Sequence, residues 1–149
     1  MLFRSAQLTA QVQGMWPQLR TDGQWQGSGL KVQAQGGTVW SLGQAQGRWH
    51  WDGRQAQAPA LFEARVSALQ AMGWQMPQGL VALTGTLAQH QLQVQAQAQA
   101  PQGKWAEQVL AVDVQAQGHA SPGALSGDQA QANWVAQLQR LQVQRQAVE

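Results

Sequence analysis

The chain has 149 residues, room for one domain and a modest core. Charged residues make up only 11% of it, the net charge is +2, and the nine cations are scattered singly. No cluster can neutralise successive phosphates, so nucleic acid is not an expected partner. Cysteine is absent, which removes disulfides, thiolate metal sites and thiol nucleophiles together. No apolar run is long enough to cross a membrane as a helix.

Glutamine dominates, with 32 residues against a single asparagine, Asn133, and no isoleucine or tyrosine. At the start, Leu2-Phe3-Arg4-Ser5 is the translation of a string that ends a common sequencing adapter. Residues 1–5 are therefore open to reading as an artefact of a truncated read. On that reading residues 1–149 are a single β-rich fragment of a longer protein, and any signal or membrane anchor lies upstream.

The first patterned run sets Leu8, Ala10 and Val12 against Thr9, Gln11 and Gln13. Successive side chains of a strand point to opposite faces, so a period of two sorts these classes onto two sides. Leu30, Val32 and Ala34 alternate in the same way with Lys31, Gln33 and Gln35, and Trp49 and Trp51 flank His50. The segment 61–72 is ambiguous. Phe62, Val66 and Leu69 stand at helical spacing and the stretch is alanine-rich, while its neighbours all favour strand.

The clearest alternation runs from His90 to Ala100, with Leu92, Val94, Ala96 and Ala98 at even positions and glutamine at every odd one. Leu110, Val112, Val114 and Ala116 follow against Ala111, Asp113, Gln115 and Gln117. Finally, Trp134, Ala136 and Leu138 are even but Leu141 and Val143 are odd, a change of parity that predicts a bulge near Arg140. Breakers punctuate these runs, among them Gly14, Pro17, Gly23, Gly27-Ser28-Gly29, Gly53, Pro77-Gln78-Gly79, Pro101-Gln102-Gly103 and Ser121-Pro122-Gly123. Strand, turn and strand at such intervals predict an all-β antiparallel meander.

Motifs that carry chemistry are missing. The acids Asp22, Asp52, Glu63, Glu107, Asp113, Asp128 and Glu149 read as isolated solvated charges. His50, His90 and His119 have no partner at metal-ligand spacing, no serine sits in GxSxG, and no glycine loop suits a phosphate. The chain is therefore read as non-enzymatic, with no cofactor and no metal. Its eight tryptophans are read mainly as packing residues, with contact to lipid or sugar as the functional alternative. Alanine at 96, 98, 100 and 116 makes the apolar face thin. That leaves either a groove for an apolar ligand or two sheets that sit close together.

Leu83-Thr84-Gly85-Thr86-Leu87-Ala88-Gln89-His90-Gln91-Leu92-Gln93-Val94-Gln95 resembles a recurring element of bacterial TamB proteins, within the AsmA-like group. So does Val112-Asp113-Val114-Gln115-Ala116-Gln117-Gly118, followed after a turn by residues 134–143. The resemblance covers residues 80–143. It implies part of an elongated, curved, trough-like sheet with an apolar concave face that crosses the periplasm and carries phospholipid acyl chains between inner and outer membranes. It also implies an inner-membrane anchor upstream, and a C-terminal region that docks on an outer-membrane barrel of the TamA type. The lipid-groove candidates are then Leu92, Val94, Ala96, Ala98, Leu110, Val112, Val114 and Leu138. The competing expectation is a β-sandwich or β-solenoid segment of a surface or secretion protein with a structural or adhesive role.

Overall fold

The computed structural model describes residues 5–15, 18–33, 39–55, 57–71, 73–86, 88–100, 108–120 and 134–147. Eight strands follow one another: β1 (Ser5–Gln13), β2 (Arg20–Gln33), β3 (Val39–Asp52), β4 (Pro59–Ala71), β5 (Trp74–Thr86), β6 (Gln89–Gln99), β7 (Gln108–Ala120) and β8 (Trp134–Ala147). Each pairs antiparallel with the next, so the order in the sheet is the order in the chain. The expected all-β antiparallel meander is what forms. Several sequence expectations lie outside the described residues: the adapter-like positions 1–4, Trp16, Pro17, Ala34, Gln35, Met72, Trp105, and the turns at 101–103 and 121–123.

Tight connections enforce the meander. Ala71 pairs with Trp74 across two residues, the second of which, Gly73, has a φ of 82°. That left-handed conformation suits a two-residue hairpin loop and carries no steric cost in glycine. At the next corner the Thr86 hydroxyl accepts a hydrogen bond from the Gln89 amide at 3.0 Å. Between β3 and β4 the Gly53 amide donates to the Leu19 carbonyl at 2.8 Å, tying that turn to the start of β2.

Segment 61–72 is strand β4, and its helical spacing has a different cause. A crease crosses the sheet at Gly29, Gly43, Ala68 and Pro77, the positions the regular pairing skips in β2 to β5. Gly29 and Ala68 have φ values of 65° and 53° there. Apolar positions change parity at this line, from Phe62, Ala64 and Val66 to Leu69 and Ala71 in β4. Leu69 pairs with both Leu42 and Met76. The Met76 sulfur and Val66 Cγ2 both crowd the place where Gly79 would carry a Cβ, at 3.2 and 2.9 Å. The same face therefore continues through the crease. The crease ends in a register shift between Gln75 and Gln78, where two residues of β5 oppose one of β6.

The parity change predicted near Arg140 is also a register shift. Gln115 pairs with Arg140 and Ala116 with Leu138, leaving Gln139 as the extra residue. Other expectations need correction. Gly23, Gly27 and Gly29 lie inside β2, and Pro77-Gln78-Gly79 lies inside β5, so none of them ends a strand. Glycine at 23 serves packing: a Cβ there would overlap the Trp49 ring.

The described residues form one layer. Among the described apolar residues only Ala45, Ala58, Ala60 and Ala100 are buried, and the larger described side chains are intermediate or exposed.

Candidate functional site

Residues paired directly across antiparallel strands put their side chains on the same face, so the register assembles rows that cross the whole sheet. One row runs Leu8, Trp25, Gly47, Ala64, Val81, Val94, Val114, Leu141. The rows on either side are Ala10, Gly23, Trp49, Phe62, Leu83, Leu92, Ala116, Leu138 and Ala6, Gly27, Ala45, Val66, Gly79, Ala96, Val112, Val143. None of the three contains a polar side chain. With strands about 4.8 Å apart, this apolar band is on the order of 34 Å long across the strands.

Six of the eight sequence candidates stand in these rows: Leu92, Val94, Ala96, Val112, Val114 and Leu138. Ala98 and Leu110 pair with each other one row further along, where Arg145 is the next partner in β8. The structure thus brings all eight onto one face. It adds residues that sequence reasoning did not connect to them: Leu8, Trp25, Trp49, Phe62, Val66, Val81, Leu83, Leu141 and Val143. The parity change near Arg140 already pointed to the last two. Leu8 was already legible in the alternation of β1, and the others were hidden because the crease breaks the alternation in β2 to β5.

Large rings fill the band in β2 and β3. The Trp49 indole lies over Gly23 and donates from Nε1 to the Thr21 hydroxyl at 3.1 Å. The Trp25 ring lies over Gly47, directly opposite it. Ring on glycine is a reciprocal arrangement here, since Trp25 pairs with Gly47 and Gly23 with Trp49. His90, which opens the β6 alternation, sits on this face with its ring over Gly118 and is half-buried.

The opposite face carries nearly all the glutamines and nearly all the charge. Asp22 of β2 pairs with His50 of β3 and with Arg20. Glu63 of β4 accepts from Arg48 at 2.8 Å and from Arg65 at 2.8 Å, and Asp52 pairs with Arg54. The hydrogen bond from His50 is the main reason that the Asp22 carboxyl is held below its ordinary range, and Arg48 does the same for Glu63. Arg54 acts likewise on Asp52. The sequence expectation of isolated solvated acids is therefore corrected for these three. The partners His50 and Arg48 come from an adjacent strand, which spacing along the chain does not reveal, whereas Arg20, Arg54 and Arg65 lie two residues from the acids they meet. In β7, Asp113 accepts a long 3.5 Å hydrogen bond from Gln95 on one oxygen, and its other oxygen is buried without a protein partner.

Two shallow depressions lie on this polar side, between its long side chains. The larger, about 660 Å³, stretches from Gln44 and Gln46 past Arg65, Gln95 and Asp113 to Arg140 and Gln144. The smaller, about 420 Å³, lies over Gln7, Gln24, Gln26 and the Arg48–Glu63–Arg65 group. Among the described residues no group of three or more His, Cys, Asp or Glu gathers as a metal site. Chemically the described residues offer an apolar band on one side, with none of them layered over it, and a hydrogen-bonding, nearly neutral surface on the other.

A scan against protein-family models, a search of curated proteins and a search of solved structures each find no match to the chain.

Proposed function

We propose that the chain is a non-enzymatic segment of a lipid-conducting β-sheet, on whose apolar face phospholipid acyl chains travel between membranes. The observation that carries this reading is the apolar band that crosses all eight strands, over which the described residues place no second layer. Such a face must be covered by something apolar, and a contiguous band of this size on a protein surface marks a place of interaction. An acyl chain makes no directional demand, which suits a band dominated by Leu, Val, Ala and Trp, where the Trp49 indole N–H is already taken by Thr21. The resemblance of residues 80–143 to TamB proteins supports the same assignment. It adds the setting: a curved trough with the apolar face inward, crossing the bacterial periplasm, anchored upstream in the inner membrane. A C-terminal region would dock on a TamA-type barrel in support of outer-membrane biogenesis.

Photocrosslinking in cells, in the parent protein, tests this. Val94 lies on the apolar band between Val81 and Val114, while Gln95 lies on the other face between Leu80 and Asp113. A photoreactive residue at 94 is expected to capture phospholipid and one at 95 to capture none. Protein adducts at 94, with no lipid, would replace the conduit by a sandwich in which a second sheet of a surface or secretion protein covers this face.

A further inference from the structure

Not every tryptophan of the apolar face is laid on a glycine. Trp25 and Trp49 fill the middle of the band in that way. Trp40, near the start of β3, stands opposite Val32 instead, and Trp74, at the start of β5, stands opposite Ala71. They are 41% and 43% exposed. Ser41 pairs with Gln70, so Trp40 and Ala71 are the next positions across from each other. Trp40, Ala71 and Trp74 therefore form one row over β3, β4 and β5, each of which has a neighbouring strand on both sides. Leu42, Leu69 and Met76 make the adjoining row on the same face, two residues further along each strand. The apolar face thus continues from the band, through the crease, to this row beside the hairpin turn at Gly73.

We propose that Trp40 and Trp74 form an aromatic slot for the ammonium group of a phospholipid headgroup, whose acyl chains lie on Leu42, Leu69, Met76 and the band beyond. Side chains stand roughly perpendicular to a sheet and strands are about 4.8 Å apart, so the two indoles rise about 9.6 Å from each other. The Ala71 methyl is the floor between them, and it keeps intermediate exposure, so the rings do not close over it. A cation midway lies about 5 Å from each ring. That is inside the roughly 6 Å within which an aromatic face attracts a cation, and tryptophan is the strongest such face. The row Val32, Trp40, Ala71, Trp74 carries no charge that would repel an ammonium or pair with an anionic headgroup. The nearby Lys31 pairs with Ser41 on the other face. The inference rests on the lipid-conducting reading and adds a headgroup preference to it. Phosphatidylethanolamine, which has an ammonium group, is favoured over phosphatidylglycerol, which has none.

The experiment captures phospholipid in cells on the parent protein, with a diazirine-bearing residue in place of Leu69 or of Val94, and identifies the adducts by mass spectrometry. Leu69 borders the slot without filling it, and Val94 samples the band away from it. The ratio of phosphatidylethanolamine to phosphatidylglycerol is expected to be about threefold higher at 69 than at 94. Trp40→Leu with Trp74→Leu keeps the row apolar and removes both rings. It is expected to bring the ratio at 69 down to that at 94, whereas Trp40→Phe with Trp74→Phe keeps part of the difference. Equal ratios at the two positions with both tryptophans in place, or an excess that survives the leucine substitutions, would overturn the slot and leave the conduit standing. Lipid at neither position would remove the conduit and the slot with it.

Discussion

Strands β2 to β4 and strands β6 to β8 build the same two faces from different materials. In β2 and β3 the apolar band is made of a few large rings laid on glycine, Trp25 on Gly47 and Trp49 on Gly23. In β6 and β7 it is made of one medium or small aliphatic residue at each position, from Leu92 to Ala98 and from Leu110 to Ala116. The polar faces divide the same way. Asp22, Glu63 and Asp52 are held in ion pairs across or beside β2 to β4, whereas β6 presents six glutamines and β7 one acid, Asp113, among amides. A ring on a glycine is a specific fit between two named residues. An aliphatic row is a tolerance for anything apolar of similar size. The first half is thus fixed by pairs and the second by pattern.

The largest expected effect follows from that contrast. Gly23→Val puts a branched side chain where the Trp49 ring and the Thr9 carbonyl already stand, the latter 2.8 Å from the new Cβ. Overpacking of this kind is expected to cost about 2–3 kcal/mol. Ala96→Val in β6 adds a β-branched residue to a half-exposed row, and its effect is expected to stay within about 0.5 kcal/mol. Urea midpoints of the two variants measure the difference. Equal losses would mean that both halves are fixed by close packing and would remove the distinction.

A smaller effect is expected at the crease, where Ala68 holds a φ of 53° in the middle of β4. A left-handed conformation costs an L-residue about 1 kcal/mol that glycine does not incur. Ala68→Gly is therefore expected to raise stability by about 0.5–1 kcal/mol, and Gly43→Ala to lower it, since its Cβ would come within 2.8 Å of the Ala68 methyl. A loss of stability in Ala68→Gly would show that the methyl contributes more by packing than the backbone conformation costs. The same comparison in β6 to β8 has no counterpart, because the one described irregularity there is an extra residue at Gln139 and not a left-handed one.

The halves also differ in how much of them could be read in advance. Where one pattern runs unbroken, from His90 to Gln99, the period of two by itself places every side chain on its face. It also placed the bulge in β8, since an extra residue must shift parity from Leu138 to Leu141. In β2 to β5 the crease shifts parity without an added residue in β2 to β4, so Phe62, Val66 and Leu69 imitate a helix although all three are in one strand. Gly23 reads as a break because the opposing Trp49 is invisible until the register is known. The cross-strand ion pairs stayed hidden for the same reason: Asp22 and His50 are 28 residues apart in sequence and neighbours only through the β2–β3 pairing. What was legible is what local alternation determines, and what was not depends on which residue lies across the ladder.

Acidification separates the halves most gently. Asp22, Asp52 and Glu63 all have carboxyls held below their ordinary ranges by His50, Arg54 and Arg48 respectively. A folded-state value below the unfolded one means that the stabilisation is fully present above the ordinary carboxylate range. It is then lost as pH falls through the depressed folded values. These pairs are at the surface, where ion pairs contribute little and salt screens them, so the loss is expected to be small and smaller still in concentrated salt. It should also be local. Hydrogen-exchange protection, corrected for intrinsic rates, is expected to fall in β2 to β4 between about pH 5 and pH 2 while β6 to β8 hold. The glutamines of β6 carry no charge to lose, and their amides keep the same donors and acceptors throughout. A parallel loss of protection in β6 would mean that the sheet opens as one cooperative unit, with the ion pairs of one half supporting the amide rows of the other.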